Sequence, residues 1–389
     1  MPYSLVLKGA GASARTLNSK AVEKAKFVLA CDAMFDLEGC IRPALFLAEA
    51  LTEKGYEISI VSPVMSRNVE AHLRSVRIEP VNLRARLLSR NFGVSILWLE
   101  AWAREAFLKL NSRGVSDDQP VLVNFSHTLN VPSMFWYLQG PTFAALRDME
   151  RELTSGYRYV YKILKPFIEH ADRRLVIKLG GNSVYAVANS KFCASLYSGL
   201  GVKVETVIYP PIDCKTFRPT TSNPSGDYVL TYFGKETMFS LIKAVADKGV
   251  KIKAFGSKIP FIPKGLIRHP NIEFLGRVST EQLVDAYSNA LFTLFVFTHE
   301  PFGYIPVESM ACGTPTLTYG FQGPSESVVD GFNGWLAKDD REMISKCVEI
   351  WEKRFPDGIR VNCLKMASYF DRSAYTEKWM ELFKKLECI

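Results

Sequence analysis

The sequence predicts an α/β protein made of two Rossmann-like domains with a cleft between them. Three observations point there. The chain has 389 residues, a length that suits two cores better than one. Short apolar runs such as Phe27–Cys31, Val121–Phe125 and Leu291–Phe297 read as strands buried on both faces, as in parallel sheets, and helical stretches alternate with them. Between the halves, the prolines of Tyr209-Pro210-Pro211 and the polar run Thr220–Asp227 mark a linker. The expected division is an extension at 1–26, a first domain at 27–207, a linker at 208–227, a second domain at 228–370 and a final helix at 371–389.

Composition narrows the class. Hydrophobic residues make up 48% and charged residues 23%, ordinary for a globular chain with large cores. The formal net charge of +8 favours anionic partners such as nucleotide diphosphates, polyprenyl phosphates, anionic lipid surfaces or nucleic acid without choosing among them, and equally serves solubility. The eight cysteines are scattered without a C-x-x-C pair, and the five histidines lack metal-ligand spacing. Buried thiols of a reducing compartment are expected, with no bound metal. No apolar run approaches the ~20 residues of a membrane span, and the N-terminus lacks a charged-then-apolar signal. A cytoplasmic protein is expected.

The first domain opens ambiguously. Gly9-Ala10-Gly11-Ala12-Ser13-Ala14 spells G-x-G-x-x-A, and Asp32 falls near where an acidic ribose ligand would stand. That is a competing signal for NAD. Phe27–Asp32 reads as the first core strand, Ile41–Lys54 as a helix and Glu57–Ser62 as the next strand. Arg84–Arg113 is basic and aromatic, either a membrane-touching helical surface or a core helix with solvated arginines. Val121–Phe125 is a strand with His127 just beyond it. Tyr157–Lys178 reads as a helix rich in Tyr, Lys and Arg, either solvated or an acceptor or membrane surface. Val184–Asn189 reads as the last strand of this half.

In the second domain, Tyr228–Gly234 is a strand followed at once by Lys235, then a helix through Asp247. Lys251–Phe255 and Asn271–Gly276 are further strands, and Ser279 caps a helix. The densest stretch is 291–323. Its apolar strand stops at Thr298-His299-Glu300. A loop, Pro301-Phe302-Gly303-Tyr304, leads to a helix that Pro306 would open and Gly313 would close. Ligands of open parallel sheets bind beyond the carboxyl ends of the strands. A helix N-terminus there attracts phosphate, Gly303 admits a close approach, and Glu300 and Glu308 can accept hydrogen bonds from sugar and ribose hydroxyls. Arg372–Leu386 closes the chain as an amphipathic helix.

The run Glu300-Pro301-Phe302-Gly303-Tyr304-Ile305-Pro306-Val307-Glu308 resembles the E-x7-E motif of retaining GT-B glycosyltransferases of family GT4, and Trp136-Tyr137-Leu138-Gln139-Gly140-Pro141 is similar to archaeal members. Ser309-Met310-Ala311-Cys312-Gly313-Thr314-Pro315, Gly323-Pro324-Ser325-Glu326 and Val329-Asp330-Gly331-Phe332-Asn333-Gly334 are similar to the same family. The resemblance implies the GT-B fold, with the last helix crossing back to the first domain. It implies transfer of a sugar from a UDP- or GDP-linked donor to an acceptor hydroxyl, a lipid-linked glycan among the candidate acceptors, without metal or other cofactor and without nucleic acid. Glu300 would hold the donor sugar; Phe302, Gly303, Tyr304 and Ile305 would offer backbone amides; Glu308 would bind ribose. Gly234 and Lys235 would meet the diphosphate, Arg277 and Val278 the base, Gly39 the donor phosphates or the acceptor, and His127 the sugar or acceptor. Where many members carry two glycines in the first loop only Gly39 is present, and one of two basic residues after Gly234 is missing. A sugar-nucleotide epimerase of the same fold, an NAD-dependent oxidoreductase and a non-catalytic nucleotide-sugar binder remain as alternatives.

Overall fold

The structure is a computed structural model that describes residues 26–37, 39–85, 120–150, 155–234, 236–256 and 262–389. The Gly9–Ala14 fingerprint, Lys235 and most of the Arg84–Arg113 stretch lie outside these residues.

The first half begins with β1 (Lys26–Ala30), α1 (Arg42–Glu53), β2 (Glu57–Ser62), α2 (Arg67–Ser75) and β3 (Glu79–Asn82). It continues with β4 (Val121–Asn124), β5 (Ser133–Leu138), α3 (Thr142–Met149), α4 (Ser155–Gly181), β6 (Ser183–Ala188), α5 (Lys191–Ser198) and β7 (Thr206–Val207). These seven strands form one sheet in the order β3-β2-β1-β4-β5-β6-β7, every neighbour parallel. Alternate residues serve opposite faces, as the two-residue period of a strand requires. Phe135, Tyr137 and Val187 join the core under α1, whereas Trp136, Leu138, Ala186 and Ala188 join the core under α4 and α5.

The second half runs β8 (Val229–Phe233), α6 (Phe239–Asp247), β9 (Ile252–Gly256), α7 (Lys264–Ile267), β10 (Ile272–Gly276), α8 (Thr280–Asn289) and β11 (Thr293–Leu294). Then come α9 (Tyr304–Ala311), β12 (Thr316–Tyr319), β13 (Gly334–Ala337), α10 (Asp340–Lys353), α11 (Gly358–Ala367) and α12 (Arg372–Lys385). Its six strands are ordered β10-β9-β8-β11-β12-β13, again parallel throughout. Ser279 caps α8 through a full capping box with Gln282.

Three details differ from expectation. Only Thr293 and Leu294 of the Leu291–Phe297 run pair as a strand, though all seven are buried. The apolar composition marks burial, and the ladder ends as the chain turns toward the other sheet. Helix α9 begins at Tyr304, with Gly303 as its N-cap at φ 101°, so Pro306 is its third residue. That position is still in the first turn, where a missing N–H breaks no intrahelical bond. Glu308 consequently falls in the second turn instead of the first.

Helix α12 crosses back to the first sheet. Tyr375, Trp379 and Phe383 are buried in the same core as Phe27, Leu29 and Phe135, and the Tyr375 hydroxyl donates to the Pro43 carbonyl at 2.9 Å. The two sheets thereby face one another with the carboxyl ends of their strands toward a shared cleft.

Candidate active site

The cleft has a volume of about 600 Å³. From the first domain it is lined by Asp32 after β1, Gly39 before α1, His127 and Thr128 after β4, Gln139 to Thr142 after β5, and Asn189 after β6. From the second come Glu236 after β8, and His299, Glu300, Pro301, Phe302 and Tyr304 between β11 and α9. Each group sits where a parallel strand ends, which is where such sheets hold ligands.

Of the residues singled out in the sequence, Gly39, His127, Glu300, Phe302 and Tyr304 meet in this cleft. Gly303 and Ile305 lie at the start of α9 behind it. A side chain at Gly303 would bring a Cβ within 2.8 Å of the Pro324 ring, and its left-handed backbone adds to the strain. Gly234 packs on the Tyr232 ring, and its N–H donates to Thr237 Oγ1 at 2.8 Å. Arg277 and Val278 follow the edge strand β10 and are not among the residues lining the cleft.

Glu300 is held by its own loop. Its Oε1 accepts from the N–H groups of Phe302 at 3.2 Å and Gly303 at 3.1 Å. Two amides expected to face a sugar or phosphate are therefore engaged by Glu300. The turn at Gly303 aims both at the carboxylate, leaving Tyr304 and Ile305 to open the helix. Burial pushes the Glu300 carboxyl up to about 7; the nearby Glu236 charge adds to this, and the two amides and His299 oppose it.

Glu308 is 5% exposed, and its Oε1 stands 2.5 Å from Arg42 Nη1 of α1 in the first domain. The Tyr287 hydroxyl approaches its other oxygen at 3.4 Å. The carboxylate expected to meet ribose is thus paired with arginine here.

His127 is carried by a loop anchored on Asp32. The Asp32 carboxylate accepts from the His127 N–H at 3.1 Å, from Thr128 Oγ1 at 2.9 Å and from the Ser126 hydroxyl. Asp32 is therefore the anchor of the β4 loop, which the sequence does not announce.

Sequence reasoning did not single out His299, Asp148 or Asn189. His299 Nδ1 lies 2.9 Å from Asp148 Oδ2 of α3, across the cleft. His299 Nε2, Asn189 Oδ1 and the Tyr304 hydroxyl are fully buried and lack a hydrogen-bond partner. An unmade hydrogen bond at a buried polar atom costs about 1–3 kcal/mol, so three around one cavity indicate groups waiting for a polar ligand. Among the described residues, no group of three or more His, Cys, Asp or Glu is placed to hold a metal ion.

Two parallel α/β domains facing across a cleft, with a C-terminal helix returning to the first, define the GT-B class of fold. Within it, residues 266–354 match the family described as Glycosyl transferases group 1, so the segment carrying Glu300 and α9 bears that family's signature. An uncharacterized glycosyltransferase of Methanocaldococcus jannaschii is 32% identical over 133 residues, covering 32% of this chain and 37% of that protein. A D-inositol 3-phosphate glycosyltransferase of Nocardiopsis dassonvillei is 27% identical over 164 residues, covering 34% of this chain and 38% of that protein. The matched segments thus span little more than a third of these relatives. HepE of Anabaena, solved in complex with UDP and glucose, superposes with a TM-score of 0.65 at 17% identity, covering 92% of this chain and 100% of that one. Sucrose-phosphate synthase of Thermosynechococcus elongatus gives a TM-score of 0.71 at 15% identity, covering 93% and 99%. These superpositions establish the shared fold.

Proposed function

We propose that the protein is a glycosyltransferase that moves a sugar from a nucleotide-diphosphate donor to an acceptor hydroxyl with retention at the anomeric carbon. One observation carries this reading. Glu300 lies in the segment that matches the glycosyltransferase family, and it lines an interdomain cavity together with polar residues such as Asp32, His127, Gln139, Asn189 and His299.

In this reading the bond between the anomeric carbon and the diphosphate breaks and a bond to the acceptor oxygen forms. The amides of Tyr304 and Ile305, with the positive end of α9, stabilise charge on the leaving diphosphate. Lys235 adds a cation to the same group. Glu300 accepts from donor-sugar hydroxyls and offsets positive charge at the anomeric carbon. His127, on its Asp32-anchored loop, orients the sugar or the acceptor. Glu308 reaches ribose by exchanging Arg42 for hydroxyls or by holding both. No cofactor beyond the donor enters this scheme.

The finer assignments rest on fewer observations. On α4, Tyr159, Ile163 and Phe167 recur every four residues and are 68%, 61% and 66% exposed, and Lys162 and Arg173 of the same helix are exposed. An apolar stripe with nearby cations suits peripheral contact with an anionic membrane surface and a lipid-linked glycan acceptor on the cytoplasmic side. No helix among the described residues is long and apolar enough to cross a membrane.

A thermal-shift panel with UDP, GDP, ADP and NAD tests the reading. A ligand at a hundred times its dissociation constant stabilises by about 2.7 kcal/mol. A shift with one nucleoside diphosphate is expected, followed by sugar release from the matching donor. A shift with NAD alone would overturn the reading, and an isomerised sugar nucleotide among the products would convert it to an epimerase.

A further inference from the structure

His299 is the residue of the cleft whose chemistry is most fully determined by its surroundings. Its side chain is 3% exposed. It follows the buried run that ends at Thr298, so packing fixes it in place, and the Phe192 ring lies beside it at 5.9 Å. Across the cleft, Asp148 lies in the last turn of α3. Its Oδ2 meets His299 Nδ1 at 2.9 Å, and its Oδ1 accepts from Arg147 Nε at 3.0 Å.

A carboxylate can only accept, so His299 Nδ1 must carry the hydrogen. In the neutral ring Nε2 then presents a lone pair. That nitrogen is fully buried and has no partner, although its residue lines the cavity. Asn189 Oδ1, also buried and unpartnered, is a second acceptor on the same cavity. Two acceptors without donors call for a ligand that brings O–H groups of its own.

We infer that His299, oriented by Asp148 across the cleft, accepts a hydrogen bond from a hydroxyl of the donor sugar and selects sugars that carry it. This rests on the transferase reading above. The donor sugar is the match because His299 adjoins Glu300, which is pinned at the opening of α9. His299 and Glu300 line the same cavity as Tyr304 at the opening of that helix, so a sugar attached to a diphosphate seated there is within reach of both. A site built to bond a hydroxyl discriminates strongly against an analogue without it, because its own polar atoms are left buried and unpaired. The Asp148 contact also ties sugar recognition to domain closure, since one partner comes from each domain.

The experiment is calorimetric titration of the wild-type chain, His299→Ala and Asp148→Asn with UDP, GDP, UDP-glucose and GDP-mannose. The wild-type chain is expected to bind one sugar nucleotide more tightly than its bare diphosphate. His299→Ala keeps the bare-diphosphate affinity within about twofold and loses at least tenfold with the sugar nucleotide. Asp148→Asn preserves shape but lets an amide donate to Nδ1, which turns Nε2 from acceptor to donor, so it reproduces most of that loss. Wild-type-like sugar-nucleotide binding by both variants would overturn the role of His299 and leave the transferase reading standing. So would a parallel loss of bare-diphosphate affinity, or a wild-type chain that binds sugar nucleotide no tighter than diphosphate. If the wild-type chain binds none of these four and also fails to bind ADP in the thermal-shift panel, the transferase reading itself falls, and this inference with it.

Discussion

Arg42 and Glu308 form an ion pair across the two domains, with Nη1 and Oε1 2.5 Å apart. Arg42 is the first residue of α1, and its guanidinium also lies 4.4 Å from the Tyr304 ring centroid. Glu308 is buried, so removing the cation strands a carboxylate away from water. Breaking such a pair costs about 3–5 kcal/mol, whereas replacing both members costs far less. Arg42→Met should therefore destabilise by about 3 kcal/mol, the lower end of that range because Arg42 is partly exposed. The double change Arg42→Met with Glu308→Gln should recover at least half of the loss. Urea titration of the four members of the cycle measures it, and strict additivity would show that the pair is not coupled.

Glu300 gives a pH dependence of defined sign. Its carboxyl is raised from the ordinary 4.5 to about 7 by burial. Between these values the folded chain holds a proton that the unfolded chain has released, so this group makes stability fall as pH rises from about 4.5 to 7. Glu300→Gln should flatten that slope and raise the midpoint of thermal unfolding at pH 7 relative to the wild type. Turnover moves the other way. The carboxylate grows in through pH 7, so wild-type rate should climb there, and Glu300→Gln should lose about 100-fold or more. Melting curves and initial rates across pH 5 to 8 check both. A variant with wild-type turnover removes Glu300 from the chemistry.

The order of strands and helices is readable in the sequence because each element carries its own signal. The apolar runs mark β1, β4 and the segment around β11, Ser279 marks the start of α8, and the helical stripe Tyr375, Trp379, Phe383 marks α12. The loop around Glu300 is readable because its glycine and prolines leave little conformational choice. The partners of the site are not readable in this way. His299 and Asp148 lie 151 residues apart, Arg42 and Glu308 266 apart. Neither pair has a local pattern, since each exists only once the two domains face each other. The engagement of the Phe302 and Gly303 amides by Glu300 is equally invisible, because it depends on a backbone turn. Asp32 shows the same limit, with a carboxylate at a strand end suiting a ribose on paper and anchoring the His127 loop in the fold.

Glu326 bridges the two domains. Its carboxylate accepts from the N–H groups of Lys191 at 2.9 Å and Phe192 at 2.7 Å, at the start of α5, and from the Tyr209 hydroxyl at 2.8 Å. A negative charge at a helix N-terminus is favourable, and here helix and charge belong to different domains. Losing a helix cap costs about 1 kcal/mol. Glu326→Ala should thus remain folded but hold the domains less firmly, seen as a larger radius of gyration in small-angle scattering. An unchanged radius would mean that the remaining contacts suffice for closure.

The returning helix makes the stability of the first domain depend on the end of the chain. Trp379 is fully buried, and its ring lies within 5.4 to 6.3 Å of the rings of Phe125, Phe135, Tyr137, Tyr375 and Phe383. Large-to-small changes at such positions cost about 3–5 kcal/mol through lost burial and the cavity left behind. Every buried residue in this core lies between Phe27 and Ile208 or on α12, and none comes from the second sheet. Trp379→Ala should therefore lower the unfolding transition of the first domain and leave that of the second near its wild-type position. Trp379→Phe, which refills most of the space, should recover more than half of the loss. Guanidinium melts with hydrogen-exchange readout in each sheet separate the two domains. Equal loss of protection in both would mean that the interdomain contacts of Arg42, Glu326 and His299 couple the chain into one cooperative unit, and the helix would then stabilise the whole molecule.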